Sequence, residues 1–189
     1  LPFVIQVLQD NDVKQFEAQA IIDATGTWNS PNPIGSGGVY AVGEVENRDK
    51  IFYGIPDILD QHSDRYKNKS VLVVGSGHSS INAILELDKL KDKYPDTEIN
   101  WVLRKRNVHD VYGGQENDAL EARGALGIKI EELVNNDRVN VYTPFQIQQI
   151  IEKEGRLSIV GFQGDLKYAL PAIDEIISNT GSRPDFSFI

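Results

Sequence analysis

The 189-residue sequence predicts an α/β fold: a Rossmann-like parallel sheet flanked by helices, with a β-meander inserted and part of a second domain attached. Three observations lead there. An unbroken apolar run at residues 71–74 passes straight into Gly75-Ser76-Gly77 and then into an amphipathic segment. Three strand-like runs separated by turn formers precede a last apolar run at residues 175–178. Two hexapeptides, Ile21-Ile22-Asp23-Ala24-Thr25-Gly26 and Ile176-Ile177-Ser178-Asn179-Thr180-Gly181, echo one another.

The elements follow in order. Residues 3–8 read as a strand, Asp10, Asn11 and Asp12 as a turn, and residues 13–19 as the return strand of a hairpin. Residues 20–24 read as a short buried strand that stops at Thr25-Gly26. Residues 28–43 carry Pro31, Pro33, Gly35, Gly37, Gly38 and Gly43, a density of breakers that marks a linker or an irregular loop. Val71, Leu72, Val73 and Val74 form a strand covered on both faces. Ile81, Ile84, Leu85, Leu87 and Leu90 place a helix over residues 81–94, and Pro95-Asp96 stops it. Residues 99–103 are the next strand, completing a βαβ unit. Two helices are expected at 115–125 and 128–135, a short strand at 139–142, and a meander at 145–152, 157–162 and 167–170. Residues 175–178 form the last strand, ending at Thr180-Gly181.

The echo gives the domain organisation. In each copy a strand ends at Thr-Gly, where a glycine lets the main chain turn sharply. One copy closes the unit at 70–181; the other would close a domain lying ahead of Leu1. The expected division is therefore a tail of one domain plus linker at 1–69, a nucleotide-binding domain at 70–181, and a return to the first domain at 182–189. The chain starts at Leu1 and contains no Met, as a fragment or a processed chain would.

Composition narrows the function classes. A net charge of -9 argues against non-specific nucleic-acid binding, which depends on Lys and Arg neutralising phosphates. No apolar run approaches the roughly 20 residues that span a bilayer. The absence of Cys removes disulfides, thiolate metal sites and a Cys-x-x-Cys pair, and leaves the cytoplasm as the default expectation. No metal site, no nucleic-acid partner and no membrane association are expected, and a homodimer is allowed for.

The chemistry concentrates at residues 75–80. Gly75 permits a tight turn after the strand. Gly77 lacks a Cβ, so a pyrophosphate can approach the main chain, and the following helix aims its free N–H groups and positive dipole end at that anion. Ser80 stands where the third glycine of Gly-x-Gly-x-x-Gly belongs, and Ser79 is the expected helix cap and phosphate donor. Ser76 belongs to the same cradle. His78 either touches the cofactor or points to solvent. At the end of the next strand an NAD-preferring site places an acid; here Leu103 is followed by Arg104, Lys105 and Arg106, which suit a 2′-phosphate and so NADP(H). Trp28 and Trp101 read as packing residues. Asp110, Tyr112 and Gln115 lie where the nicotinamide half could sit, and no residue reads as a catalytic acid, base or nucleophile.

Taken together, residues 71–80, the basic residues 104–106, Ala24-Thr25-Gly26 and Asn179-Thr180-Gly181-Ser182-Arg183-Pro184 resemble the flavoproteins with two dinucleotide-binding domains, thioredoxin-reductase-like and flavin-containing-monooxygenase-like. The resemblance covers about residues 20–185. It implies a nicotinamide domain inserted in a flavin domain, with the Ala-Thr-Gly strand leading out and the Thr-Gly-x-Arg-Pro segment leading back. Thr25, Gly26, Thr180 and Gly181 then lie beside cofactor, and FAD is held by a domain outside this sequence. The FAD fingerprint and the C-terminal Gly-Asp segment are absent, and the monooxygenase fingerprint Phe-x-Gly-x-x-x-His is half present as Phe52-Tyr53-Gly54 with Ile58 in the His position. The expected function is NADPH binding and hydride delivery to that flavin, the chain alone being inactive. The alternative is a nucleotide-sensing module without redox turnover. A self-contained dehydrogenase would need a Tyr-x-x-x-Lys pair, which does not occur.

Overall fold

In a computed structural model, which describes residues 2–24, 26–113 and 121–185, Asp10 and Asn11 take φ of 52° and 66°. Two successive left-handed residues make the tight turn that suits strand twist. They join β1 (Phe3–Gln9) to β2 (Asp12–Ala18) in register, Phe3 opposite Ala18. The hairpin leaves Phe3, Leu8, Val13 and Phe16 exposed.

The strand expected at residues 20–24 is not formed. No ladder partner reaches it among the described residues; Ile21 is 45% and Ile22 92% exposed. An apolar run makes a buried strand only where a neighbour satisfies its backbone and covers its side chains.

Sequence reading left residues 51–53 in the linker, yet β3 (Ile51–Tyr53) is an edge strand of the main sheet. After α1 (Ser63–Tyr66) come β4 (Ser70–Val74), α2 (His78–Lys93), β5 (Glu98–Val102), α3 (Glu121–Asn135) and β6 (Asn140–Tyr142). The meander is β7 (Gln146–Lys153), β8 (Arg156–Gln163) and β9 (Leu166–Ala169), and β10 (Glu175–Ser178) follows. The five parallel strands lie in the order β3-β10-β4-β5-β6. The sheet unit thus starts ahead of residue 70. Where two helices were expected, Gly124 and Gly127 are spanned by the single helix α3; the residues before Glu121 lie outside the described part.

Side chains of β4 alternate between the two faces, as a period of two requires. Val71 and Val73 join Ile81, Ile84, Leu87 and Leu90 of α2 and Ile130 of α3 on one face. Leu72 and Val74 join Ile147, Ile150, Leu157 and Ile159 of the meander on the other. Helices therefore cover one face and the meander covers the second. Each fully buried aliphatic side chain contributes about 1.5–3 kcal/mol relative to exposure. A polar ladder crosses the sheet where Asn100, 1% exposed, donates to Ser70 Oγ (3.0 Å) and accepts from Asn140 Nδ2 (3.3 Å).

Glu44 organises the irregular segment before β3. Its buried carboxylate accepts from the main-chain N–H groups of Ile34 (3.0 Å), Gly35 (3.3 Å) and Ala41 (2.8 Å), and from the Tyr53 hydroxyl (2.8 Å). Burial, that hydrogen bond and the Glu44 charge all push the Tyr53 phenol above its ordinary range, so it stays protonated and keeps donating. Truncating Glu44 strands buried donors at about 1–3 kcal/mol each. Glu44→Ala is expected to lower stability by about 3 kcal/mol, read from the urea midpoint.

Two connecting segments run side by side. Pro31 bridges Ser182 in antiparallel fashion, Asn32 N–H donates to Gly181 O (2.9 Å), and Arg183 N–H donates to Ser30 O (3.0 Å). Asn32 Nδ2 donates to Thr180 O (3.1 Å) and Thr180 Oγ1 to Asn32 O (2.8 Å). Gly26 and Gly181, the ends of the two echoed hexapeptides, share φ of 85° and 84°.

Candidate nucleotide-binding site

The carboxyl ends of β3, β10, β4 and β5 open on one cleft of about 750 Å³. Beside β4 the strand order reverses: β5 and β6 follow outward on one side, while β10 returns on the other. Open α/β sheets bind ligands at this place, because the loops part there. The volume falls within the roughly 300–1,000 Å³ of small-molecule sites.

Gly75 and Gly77 serve different ends. Gly75 has φ of 139°, and a Cβ on it would stand 2.4 Å from the carbonyl oxygen of Asn179. Its bareness is required by the end of β10. Trp101, wholly buried, donates from Nε1 to Gly75 O (2.8 Å) and fixes the turn from below. Gly77 lines the cleft, and nothing lies within 4 Å of where its Cβ would be. The space before it is open to a ligand, as the pyrophosphate reading requires.

Gly77, not Ser79, is the N-cap of α2, which begins at His78. The expectation of a Ser79 cap is corrected: with the helix starting at His78, Ser79 sits inside its first turn and lines the cleft instead. A glycine cap offers no side-chain acceptor, the first turn carries no acid, and Lys91 and Lys93 occupy the last turn. The exposed positive end of a 16-residue helix therefore faces the cleft beside Gly77.

The other expected residues divide. Ser76 lines the cleft. Ser80 is buried and spends its hydroxyl on Gly77 O (2.6 Å), holding the turn together. His78 is exposed and does not line the cleft. Arg104 and Lys105 are exposed and line it; Arg106 is exposed but outside the lining. Lys105 Nζ donates to Asp110 O (2.8 Å). Thr180 and Gly181 line the cleft, while Gly26 does not and Thr25 and Gln115 lie outside the described residues. Tyr112 is buried with its hydroxyl unpartnered, away from the cleft lining.

Trp101 packs as expected, whereas Trp28 does not: it is 89% exposed and lines the cleft, held in a turn closed by Ser30 N–H on Thr27 O (3.0 Å). Sequence reasoning also missed Tyr53, on the cleft wall, and Glu44 behind it; Tyr53 stands at an unspecified position of the half-present fingerprint and Glu44 in no motif, and only the folded loop brings them together. Among the described residues, no group of three or more His, Asp or Glu is placed to hold a metal, and no helix is long and apolar enough to cross a membrane.

A five-stranded parallel sheet with a bare glycine turn at its switch point, helices on one face and a meander on the other define a Rossmann-like α/β fold. No protein-family model matches the chain. It is similar to the ferredoxin–NADP reductase of Ehrlichia canis (strain Jake), 29% identical over 120 residues, covering 64% of this chain and 29% of that one. The enzyme of the same name from Ehrlichia ruminantium (strain Gardel) is 26% identical over 145 residues, covering 76% and 35%. The chain thus spans about a third of the length of these curated relatives. Among solved structures it resembles the bacillithiol disulfide reductase of Bacillus cereus (TM-score 0.70, 19% identity, 99% of this chain and 48% of that one). It also resembles the FAD-bound cadaverine monooxygenase DfoA of Erwinia amylovora (TM-score 0.71, 16% identity, 98% and 50%). These likenesses establish the fold, and the resemblance read from the sequence agrees with them: the named relatives are reductases and a monooxygenase, the last with FAD bound.

Proposed function

We propose that this chain holds NADP(H) in the cleft and presents it to FAD bound by sequence outside the chain. One observation carries the reading: the open main chain at Gly77 and the exposed Arg104 and Lys105 line the same cleft, in the order that a diphosphate and a 2′-phosphate require. The names of the relatives, ferredoxin–NADP reductases, support it.

In this reading, main-chain N–H groups at Ser76 and Gly77, with the helix dipole behind them, hold the diphosphate, and Ser79 lends a hydroxyl; the Gly75 N–H is spent on Val102 O (3.3 Å) and Gly75 only shapes the turn. Arg104 pairs with the 2′-phosphate, assisted by Lys105 and by Arg106 from the rim. Bound NADPH supplies a hydride. The protein's work is positioning and electrostatics, so no acid or base on this chain is needed. The nicotinamide unit runs from about Pro31 to Gly181, because Ile34, Ala41, Ile51, Ile58 and Tyr66 pack into its two cores; the residues ahead of Pro31, and 182–189, belong with the flavin domain, whose packing would cover Ile21, Ile22 and the exposed hairpin. Ile58 is wholly buried in the core where the monooxygenase fingerprint needs a His, which favours a reductase over a monooxygenase.

Calorimetry on this chain tests the reading. NADPH is expected to bind more tightly than NADH, and Arg104→Ala to weaken NADPH about tenfold or more, the worth of one charge-assisted hydrogen bond. The same change should leave NADH nearly untouched. Equal affinities for the two nucleotides in the wild-type chain would remove the role given to the basic residues.

A further inference from the structure

We propose that Trp28 is the aromatic platform for the nicotinamide ring, shielding one face of it and leaving the other for the flavin. The inference rests on the NADP(H) reading above and adds to it the residue that receives the reactive end.

The strand order fixes which end of the nucleotide lies where. The diphosphate belongs at β4, where Gly77 is open. Arg104 follows β5 and marks the adenosine side. The nicotinamide half must then extend the other way, over β10 and β3, where Tyr53, Gly54, Ser178 and Thr180 line the cleft. Trp28 is on that side. Its segment is tied to the residues that follow β10 through Pro31 and Ser182, Asn32 and Gly181, and Ser30 and Arg183.

The state of the indole is the second observation. An indole 89% exposed leaves a large apolar surface wet, and a single large aromatic at a cleft mouth gains most when a flat ring covers it. Trp28 is the aromatic side chain on the wall of this cleft with most free surface; Phe145 is fully buried and Tyr53 is held by Glu44. The turn from Thr27 to Ser30 and the paired connecting segments hold the Trp28 backbone in place, so little ordering is left to be done on binding.

The experiment compares two probes by calorimetry on wild-type, Trp28→Ala and Trp28→Phe chains: NADPH, and adenosine 2′,5′-bisphosphate, which lacks the nicotinamide half. Because Trp28 is almost wholly exposed, its removal leaves the core intact. Trp28→Ala is expected to weaken NADPH about five- to tenfold, the scale of one stacked ring, and to leave the bisphosphate unchanged. Trp28→Phe should recover most of the NADPH affinity. NADPH affinity unchanged by Trp28→Ala, or both probes weakened alike, overturns the inference while leaving the cofactor reading in place. A wild-type chain that binds the bisphosphate as tightly as NADPH also overturns it. A wild-type chain that binds neither overturns the cofactor reading and the platform with it.

Discussion

A chain carrying Gly77→Val is expected to lose NADPH affinity by at least about a hundredfold while keeping its fold. The branched side chain would enter the open space before Gly77, where no atom beyond its adjoining residues lies within 4 Å of the new Cβ. It would hold the diphosphate away from the main chain, and losing two charge-assisted hydrogen bonds at about 1.5–3 kcal/mol each gives that factor. The Cβ position is clear of the rest of the fold, and φ at Gly77 is -93°, which any residue adopts. The cost to stability is that of a poor helix cap, about 1 kcal/mol. Titration calorimetry reads the first effect and the far-ultraviolet circular dichroism melt reads the second. Retained affinity would mean the turn merely connects strand to helix.

Gly75→Ala, two residues away, is expected to do the reverse: to damage the fold first. Its methyl group would lie 2.4 Å from the Asn179 carbonyl oxygen and 2.9 Å from the carbonyl carbon, both main-chain atoms that cannot swing aside. A φ of 139° adds backbone strain for any residue with a Cβ. Relief requires β4 and β10 to part at their carboxyl ends, where Asn179 N–H donates to Val74 O (2.8 Å). A loss of about 3–5 kcal/mol is expected, measured as a lowered urea midpoint. A loss below about 1 kcal/mol would show that the turn can relax and that the contact is not tight in solution.

These opposite outcomes at two glycines of one motif mark the limit of what could be read from sequence. The apolar run at 71–74, the helix after it and the meander were legible because each repeats a local period, and local periods report burial. That Arg104 and Lys105 would reach the cleft was legible because the position after β5 lies at the carboxyl end of the sheet. What could not be read depends on partners distant in sequence. Asn179 gives Gly75 its role from 104 residues away, which no window along the chain reveals. β3 is too short at three residues to show a period, and it becomes a strand because β10 pairs with it, Ile51 beside Ile176. Residues 20–24 failed in the opposite direction: their composition says strand, but no neighbour among the described residues completes one. Trp28 was read as a packing residue by type alone, and only the fold shows its indole exposed at the cleft.

The antiparallel bridge between Pro31 and Ser182 brings the point where the chain enters the sheet unit next to the point where it leaves. A segment of about 150 residues whose two ends touch behaves like a cassette: a host polypeptide could accept it at a single surface loop, or close the gap after its excision with a few residues, without its own path being stretched. The same adjacency makes the junction a two-strand tether rather than a single thread. Bending there must peel one segment from the other, so the paired main-chain hydrogen bonds stiffen the junction.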